Sequence, residues 1–385
     1  MPISVETTTA LLAELVRVES VNPALSDGKS DEAELANLVA RQLAEMGLRV
    51  ERREPEPGRV SVLGTLAGAG GGPSLMLYAH LDTVGVEGME DPFEPAIRDG
   101  RLYGRGAYDM KGGLAACLAA AQTLVERAPP LAGDVIVAAV ADEEVASLGM
   151  SDVLTAVIPD AAIVTEPTEL EICLAHKGFA WIDVTTHGRA AHGSRFEEGV
   201  DANLRMGRFL ARLEDLERKL RVSTPHPLVG PPSLHAAVLD GGTGPSTYAD
   251  RCQLTIERRT VPGESAEKAL AEIRAILDRL HEEDPSFQAE AVTTLARAPF
   301  EAGADRPVVS ALARAAAEIL GRRPPLVGRP YWMDAALLGE AGVDTVVMGP
   351  AGAGAHAVEE WVDLASVARL AEILARAAIE YCGTA

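Results

Sequence analysis

His80 and Asp82 stand two residues apart in AHLDTV, and Asp109 lies in GRGAYDMKGG just ahead of a glycine pair. Glu143 and Glu144 are adjacent, Glu166 follows Thr165, and His356 closes the glycine-rich run GPAGAGAH. Two imidazoles and several carboxylates form a mixed nitrogen and oxygen donor set, suited to zinc or another divalent first-row metal. No lysine is paired with each acid. Gathered in one place, these carboxylates would repel one another, and some would have to take up protons unless a cation joined them. Taken singly, an HxD or a pair of glutamates is more often a solvated surface feature.

The elements around these residues favour the first reading. Leu75–Tyr78 is a short apolar run ahead of His80. Val135–Val140 is continuously apolar, as in a strand buried on both faces, and precedes the glutamate pair. Ala161–Thr165 precedes Glu166, and Asp344–Met348 precedes the loop to His356. Thr9–Ser20, Asp31–Met46, Leu114–Arg127, Val308–Leu320 and Leu364–Cys382 have helical character, and Gly47 closes the second of them. Strands alternating with helices imply an α/β fold with a mostly parallel central sheet. In open sheets of this kind, ligands bind beyond the carboxyl ends of the strands, which is where the acids and histidines fall.

The middle of the chain differs. Ala180–Thr186, Ser233–Leu239 and Arg251–Arg258 alternate apolar and polar residues. Asp201–Leu220 and Ser265–Glu283 read as helices, and Phe287–Thr294 as a last strand. The β-α-β-β-α-β order predicts a ferredoxin-like α+β domain inserted into the α/β domain. The expected organisation is residues 1–177 as the first part of a catalytic domain, 178–294 as the insert and 295–385 as the second part.

Composition removes other classes. The chain has 385 residues, with 35 Lys and Arg against 57 Asp and Glu, a formal charge of −22. Nucleic acid and anionic membrane surfaces need a basic footprint, so neither is an expected partner. The amino-terminal stretch has no basic run before its apolar residues and carries Glu6 and Glu14, unlike a secretory signal. No apolar stretch reaches membrane-spanning length. Four scattered cysteines without a CxxC pair suit a reducing compartment, and a cytoplasmic location is expected.

In AHLDTV (79–84), GRGAYDMKGG (104–113), DEE (142–144), TEP (165–167) and AHAVEEW (355–361), the chain resembles the M20 metallopeptidase family. That group includes acetylornithine deacetylase, succinyl-diaminopimelate desuccinylase, aminoacylase and glutamate carboxypeptidase. The resemblance implies two divalent metal ions, zinc first and cobalt or manganese as alternatives. Asp109 would bridge them, with His80 and Glu166 completing one site and Glu144 and His356 the other. Asp82 would fix the tautomer of the His80 imidazole, and Glu143 would be the general base. The insert would be a lid and dimerisation domain. His192 would reach the active site of the partner in a homodimer and donate to the oxyanion. Arg259 would hold the α-carboxylate of the substrate, its neighbour Arg258 being expected as an exposed strand residue.

Two stretches depart from the family pattern. Ser246 stands where an asparagine is usual, and Met333-Asp334-Ala335 replaces Thr-Asp-Ala, preceded by Trp332. Ser246, Trp332 and Met333 are therefore candidate substrate-binding residues, the last two suggesting an apolar side-chain pocket. The resemblance implies a deacylase acting on N-acyl-L-amino acids in amino-acid metabolism. A carboxypeptidase or dipeptidase on the same scaffold and an N-carbamoyl-amino-acid hydrolase remain open, as the acyl side is not written in these motifs. A two-metal phosphoesterase would want cations near the metals. Arg105 and Lys111 flank Asp109, but the order of the motifs speaks against it.

Overall fold

The computed structural model describes every residue except Met1 and Asp27. The chain forms two compact units. The first holds residues 1–174, 302–327 and 333–385, and the second residues 175–301 and 328–332.

The first unit is built on a mixed sheet. Its strand order is Arg49–Arg53, Ser61–Leu66, Val135–Val140, Leu75–His80, Ala161–Val164, Asp344–Val347 and Ile172–His176. The middle of the sheet is parallel: Leu75–His80 pairs with both Val135–Val140 and Ala161–Val164, and the latter with Asp344–Val347. Every residue of Leu75–His80 and Val135–Val140 is buried, which is why these strands are apolar without alternation. The edge strand Arg49–Arg53 runs antiparallel to Ser61–Leu66, which runs antiparallel to Val135–Val140. Their sequences, RVERR and SVLGTL, carry no simple alternation, and they escape the sequence reading. The first helix spans Val5–Arg17, four residues earlier than expected, because the Ser4 hydroxyl accepts the Thr7 amide and caps it. The helix Gly112–Arg127 is buried on most sides among alanines and leucines, and it follows the tight turn that carries Asp109.

The second unit has its own core. Its four antiparallel strands run in the order Ser233–Gly241, Arg251–Thr260, Gly178–His187 and Gln288–Arg297. The helices Ala202–Arg221 and Ala266–Glu283 pack Met206, Phe209, Leu213, Ile273, Leu277 and Leu280 against the inward residues Ile182, Val184, Leu254 and Ile256. Asp201 and Ser265 cap the two helices by accepting backbone amides. After the exposed Arg251, the strand Arg251–Thr260 alternates buried and half-buried residues, the period-two pattern of a sheet with one covered face.

Candidate metal centre

In the first unit, loops at the carboxyl ends of neighbouring strands bring five donors together. His80 ends the strand Leu75–His80, Glu144 follows Val135–Val140, and Glu166 lies two residues past Ala161–Val164. Asp109 sits in the turn Ala107–Lys111, and His356 in a loop with a left-handed backbone (φ 61°). Nε2 of His80 is 3.2 Å from Oδ1 of Asp109 and 3.6 Å from Oε1 of Glu166. Nε2 of His356 is 3.3 Å from the other oxygen of Asp109, Oδ2, and 3.1 Å from Oε2 of Glu144. Each oxygen of Asp109 thus faces a different imidazole, and each imidazole also faces a different glutamate. Glu143 brings a carboxylate oxygen within 4.8 Å of donor atoms on His80 and Glu166.

The donor set fits cations. Nδ1–H of His80 donates to the main-chain carbonyl of Asp82 at 2.9 Å, which leaves its Nε2 lone pair aimed at carboxylate oxygens. A lone pair facing lone pairs needs a proton or a metal between them. Burial opposes charge on His80, yet the hydrogen bond to Asp109 and the charges of Glu166, Asp82 and Glu143 prevail and raise its pKa far above the ordinary value. Burial and the neighbouring charge of Glu166 push Glu143 well up, and burial with the charge of Asp109 does the same to Glu166. Hydrogen bonds donated to Asp109 and Glu144 raise the pKa of His356 to about 10. A metal-free centre therefore holds protons that divalent cations would displace.

Asp82 serves this centre differently from the expectation. Its carboxylate is 3.6 Å from Nδ1 of His80, and the imidazole is fixed by its main-chain carbonyl instead. Its carboxylate oxygens accept the amides of Glu143 at 3.0 Å and Glu144 at 3.1 Å. Asn22 donates to the same carboxylate at 2.8 Å. Glu360 was not singled out in the sequence, although it lies in the AHAVEEW motif. It is 1% exposed and accepts the amides of Gly106, Tyr108 and Asp109 and the guanidinium of Arg105, all between 2.7 and 3.0 Å. This fixes the turn that presents Asp109. Its spacing of four residues after His356 was the available signal.

The remaining candidates fall elsewhere. His192 and Ser246 are exposed neighbours in the second unit, where the Gly193 amide donates to the Ser246 carbonyl at 2.8 Å. The Ser194 amide donates to Nδ1 of His192 at 3.2 Å, so the neutral ring carries its proton on Nε2. Arg259 is half-buried, with Nε and Nη2 on Glu257 at 2.7 and 3.2 Å and the Phe179 ring 5.3 Å away. Arg258 is not the exposed residue expected: it is 1% exposed and held by Glu264 and Glu272. Trp332 donates to the Ala298 carbonyl at 3.1 Å and stands edge-on to Phe179 and His176 in the second unit. Met333 is 1% exposed and belongs to the core of the first unit, so it offers no wall to a pocket.

The sequence pattern of peptidase family M20/M25/M40 matches residues 76–380. The chain belongs to this family. An acetylornithine deacetylase of Myxococcus xanthus is 31% identical over 332 residues, covering 84% of this chain and 85% of that protein. An N-formyl-4-amino-5-aminomethyl-2-methylpyrimidine deformylase of Bacillus subtilis is 28% identical, covering 89% and 88%. Among solved structures, a tripeptidase of Staphylococcus aureus superposes with a TM-score of 0.81 at 20% identity, covering 98% of each chain. A dinuclear metal-binding peptidase of Bacillus subtilis does so at 0.77 and 17% identity, covering 99% of each. The chain is thus a metal-dependent amidohydrolase of the M20 family, on the deacylase and peptidase scaffold. No helix among the described residues is long and apolar enough to cross a membrane.

Proposed function

We propose that the chain hydrolyses the amide bond of N-acyl-L-amino acids at a two-metal centre. The observation that carries this reading is the placement of Asp109, one carboxylate oxygen toward His80 and the other toward His356. In this reading His80, Asp109 and Glu166 hold one ion and His356, Asp109 and Glu144 the other. Two divalent ions, zinc or in its place cobalt or manganese, would supply Lewis-acid polarisation of the acyl carbonyl and an acidified water.

The protein's own groups do the rest. Glu143, beside His80 and Glu166, takes the proton of the attacking water and returns it to the departing nitrogen. The Glu143 amide is tied to Asp82, so the base and its neighbour Glu144 keep their separate directions. Arg259 offers the fork face left free by Glu257 to the α-carboxylate of the substrate. His192, with its proton on Nε2, is a donor suited to a developing oxyanion. The acid-rich, two-unit chain works as a homodimer in the cytoplasm, with His192 supplied by the partner through the inserted lid domain. Ser246, bonded to Gly193 beside His192, and Trp332, edge-on to the Phe179 ring that Arg259 also faces, are the remaining substrate-contact candidates.

Hydrolysis of a panel of N-acetyl, N-formyl, N-succinyl and N-carbamoyl amino acids and of dipeptides tests the reading. One N-acyl class should be cleaved at least tenfold faster, by kcat/KM, than any dipeptide. Preference for dipeptides would replace the deacylase reading with a peptidase one.

A further inference from the structure

Behind the glutamate pair lies a buried polar network that extends from Asp82 through Asn22 to Asp142 and Arg59. Asn22 is fully buried, and all its side-chain hydrogen-bonding groups are engaged. Its Nδ2 donates to Asp82 Oδ2 at 2.8 Å and to Asp142 Oδ1 at 2.9 Å. Its Oδ1 accepts from Arg59 Nη2 at 2.9 Å and from the Ala24 amide at 3.1 Å. Arg59, 8% exposed, also meets Asp142 Oδ1 at 3.1 Å and Glu32 Oε1 at 2.7 Å. Asp142 in turn accepts the Leu148 amide at 3.2 Å and holds a left-handed backbone at φ 69°. The Asn22 amide is tied to the Thr83 carbonyl at 2.9 Å, beside Asp82.

Three buried acids, Glu32, Asp82 and Asp142, come close enough to resemble a cation site. The Arg59 guanidinium fills that role. One arginine leaves the acids in excess, so Asp82 and Asp142 would repel each other. Asn22 is the neutral group that donates one N–H to each and holds them in place. The Asp82 carboxylate it fixes is the one that accepts the amides of Glu143 and Glu144.

We propose that Asn22 and Arg59 are positioning residues for the Glu143–Glu144 pair, acting through the carboxylates of Asp82 and Asp142. Groups of this kind behind a metal site typically change metal affinity or turnover by about 10–100-fold when removed. The inference rests on the reading above only in taking Glu144 as a metal ligand and Glu143 as the base.

The test compares Asn22→Ala and Arg59→Lys with Leu63→Ala. Leu63 is a buried core residue of the strand Ser61–Leu66 whose apolar side chain makes no hydrogen bond to any of these groups, and it controls for lost stability alone. Cobalt(II) affinity is read by competition with a chromophoric chelator, thermal midpoint by circular dichroism, and kcat and KM on the substrate the wild type cleaves fastest. Asn22→Ala should weaken cobalt binding at least tenfold and lower kcat at least tenfold, with KM changed less than threefold. Arg59→Lys, which keeps the charge but not the fork, should fall between it and wild type. Leu63→Ala should lower the midpoint while cobalt affinity and kcat stay within twofold. The proposal is overturned if Asn22→Ala behaves as Leu63→Ala does. Should no substrate be found, the cobalt arm decides alone, so failure of the substrate reading is distinct from failure of this one.

Discussion

At the scale of single residues, the account turns on Glu143 and Glu144 doing different work although they are adjacent. The pair lies in the turn that follows the strand Val135–Val140, and there one acid shares an imidazole with Asp109 while the other stands near His80. Glu143→Ala should therefore keep both metals, measured by elemental analysis, while kcat falls by about 10²–10⁴-fold. A rate near wild type would remove Glu143 from the proton transfer. The acids and histidines were legible because side-chain type and strand-end position coincide in sequence. Asn22 was not, since a neutral amide 60 residues from Asp82 carries no periodicity. Its neighbour Pro23 marks only a turn. Arg258 and Arg259 show the same limit: strand parity says they face opposite sides, but only the packing of Glu264 and Glu272 says which side is buried.

At the scale of elements, the apolar strands and amphipathic helices were readable because each buries a continuous face. The antiparallel edge Arg49–Arg53 and the short strands Arg101–Tyr103 and Trp361–Asp363 were not, being held by register against neighbours rather than by their own pattern. The loop before the helix Ala33–Glu45 contributes a testable electrostatic feature. Glu32 is fully buried, and burial followed by the charge of Asp82 outweighs Arg59 and lifts its pKa from 4.5 to about 7. The folded chain then keeps a proton on Glu32 that the unfolded chain releases near 4.5. The stability linked to this group is complete below pH 4.5 and is lost as pH rises to about 7, a loss of about 3 kcal/mol. Glu32→Gln should gain stability relative to wild type between pH 5 and 8, read from urea midpoints. A difference constant with pH would contradict the assignment.

At the scale of the whole molecule, the formal charge of −22 gives the chain no net attraction for a polyanion. The proposed homodimer makes a sharper demand. If His192 is supplied by the partner, mixing inactive Glu143→Ala and His192→Ala proteins after subunit exchange should restore about a quarter of wild-type activity. Half of the dimers would be mixed, each with one intact site. No recovery after demonstrated exchange would place His192 outside the partner's centre. The measurement that tests the account most directly is activity during stepwise return of cobalt(II) or zinc to chelator-stripped protein. The account predicts loss of hydrolysis on stripping and recovery that saturates near two equivalents per chain. Full activity in the stripped protein, or complete recovery at a single equivalent per chain, would contradict it.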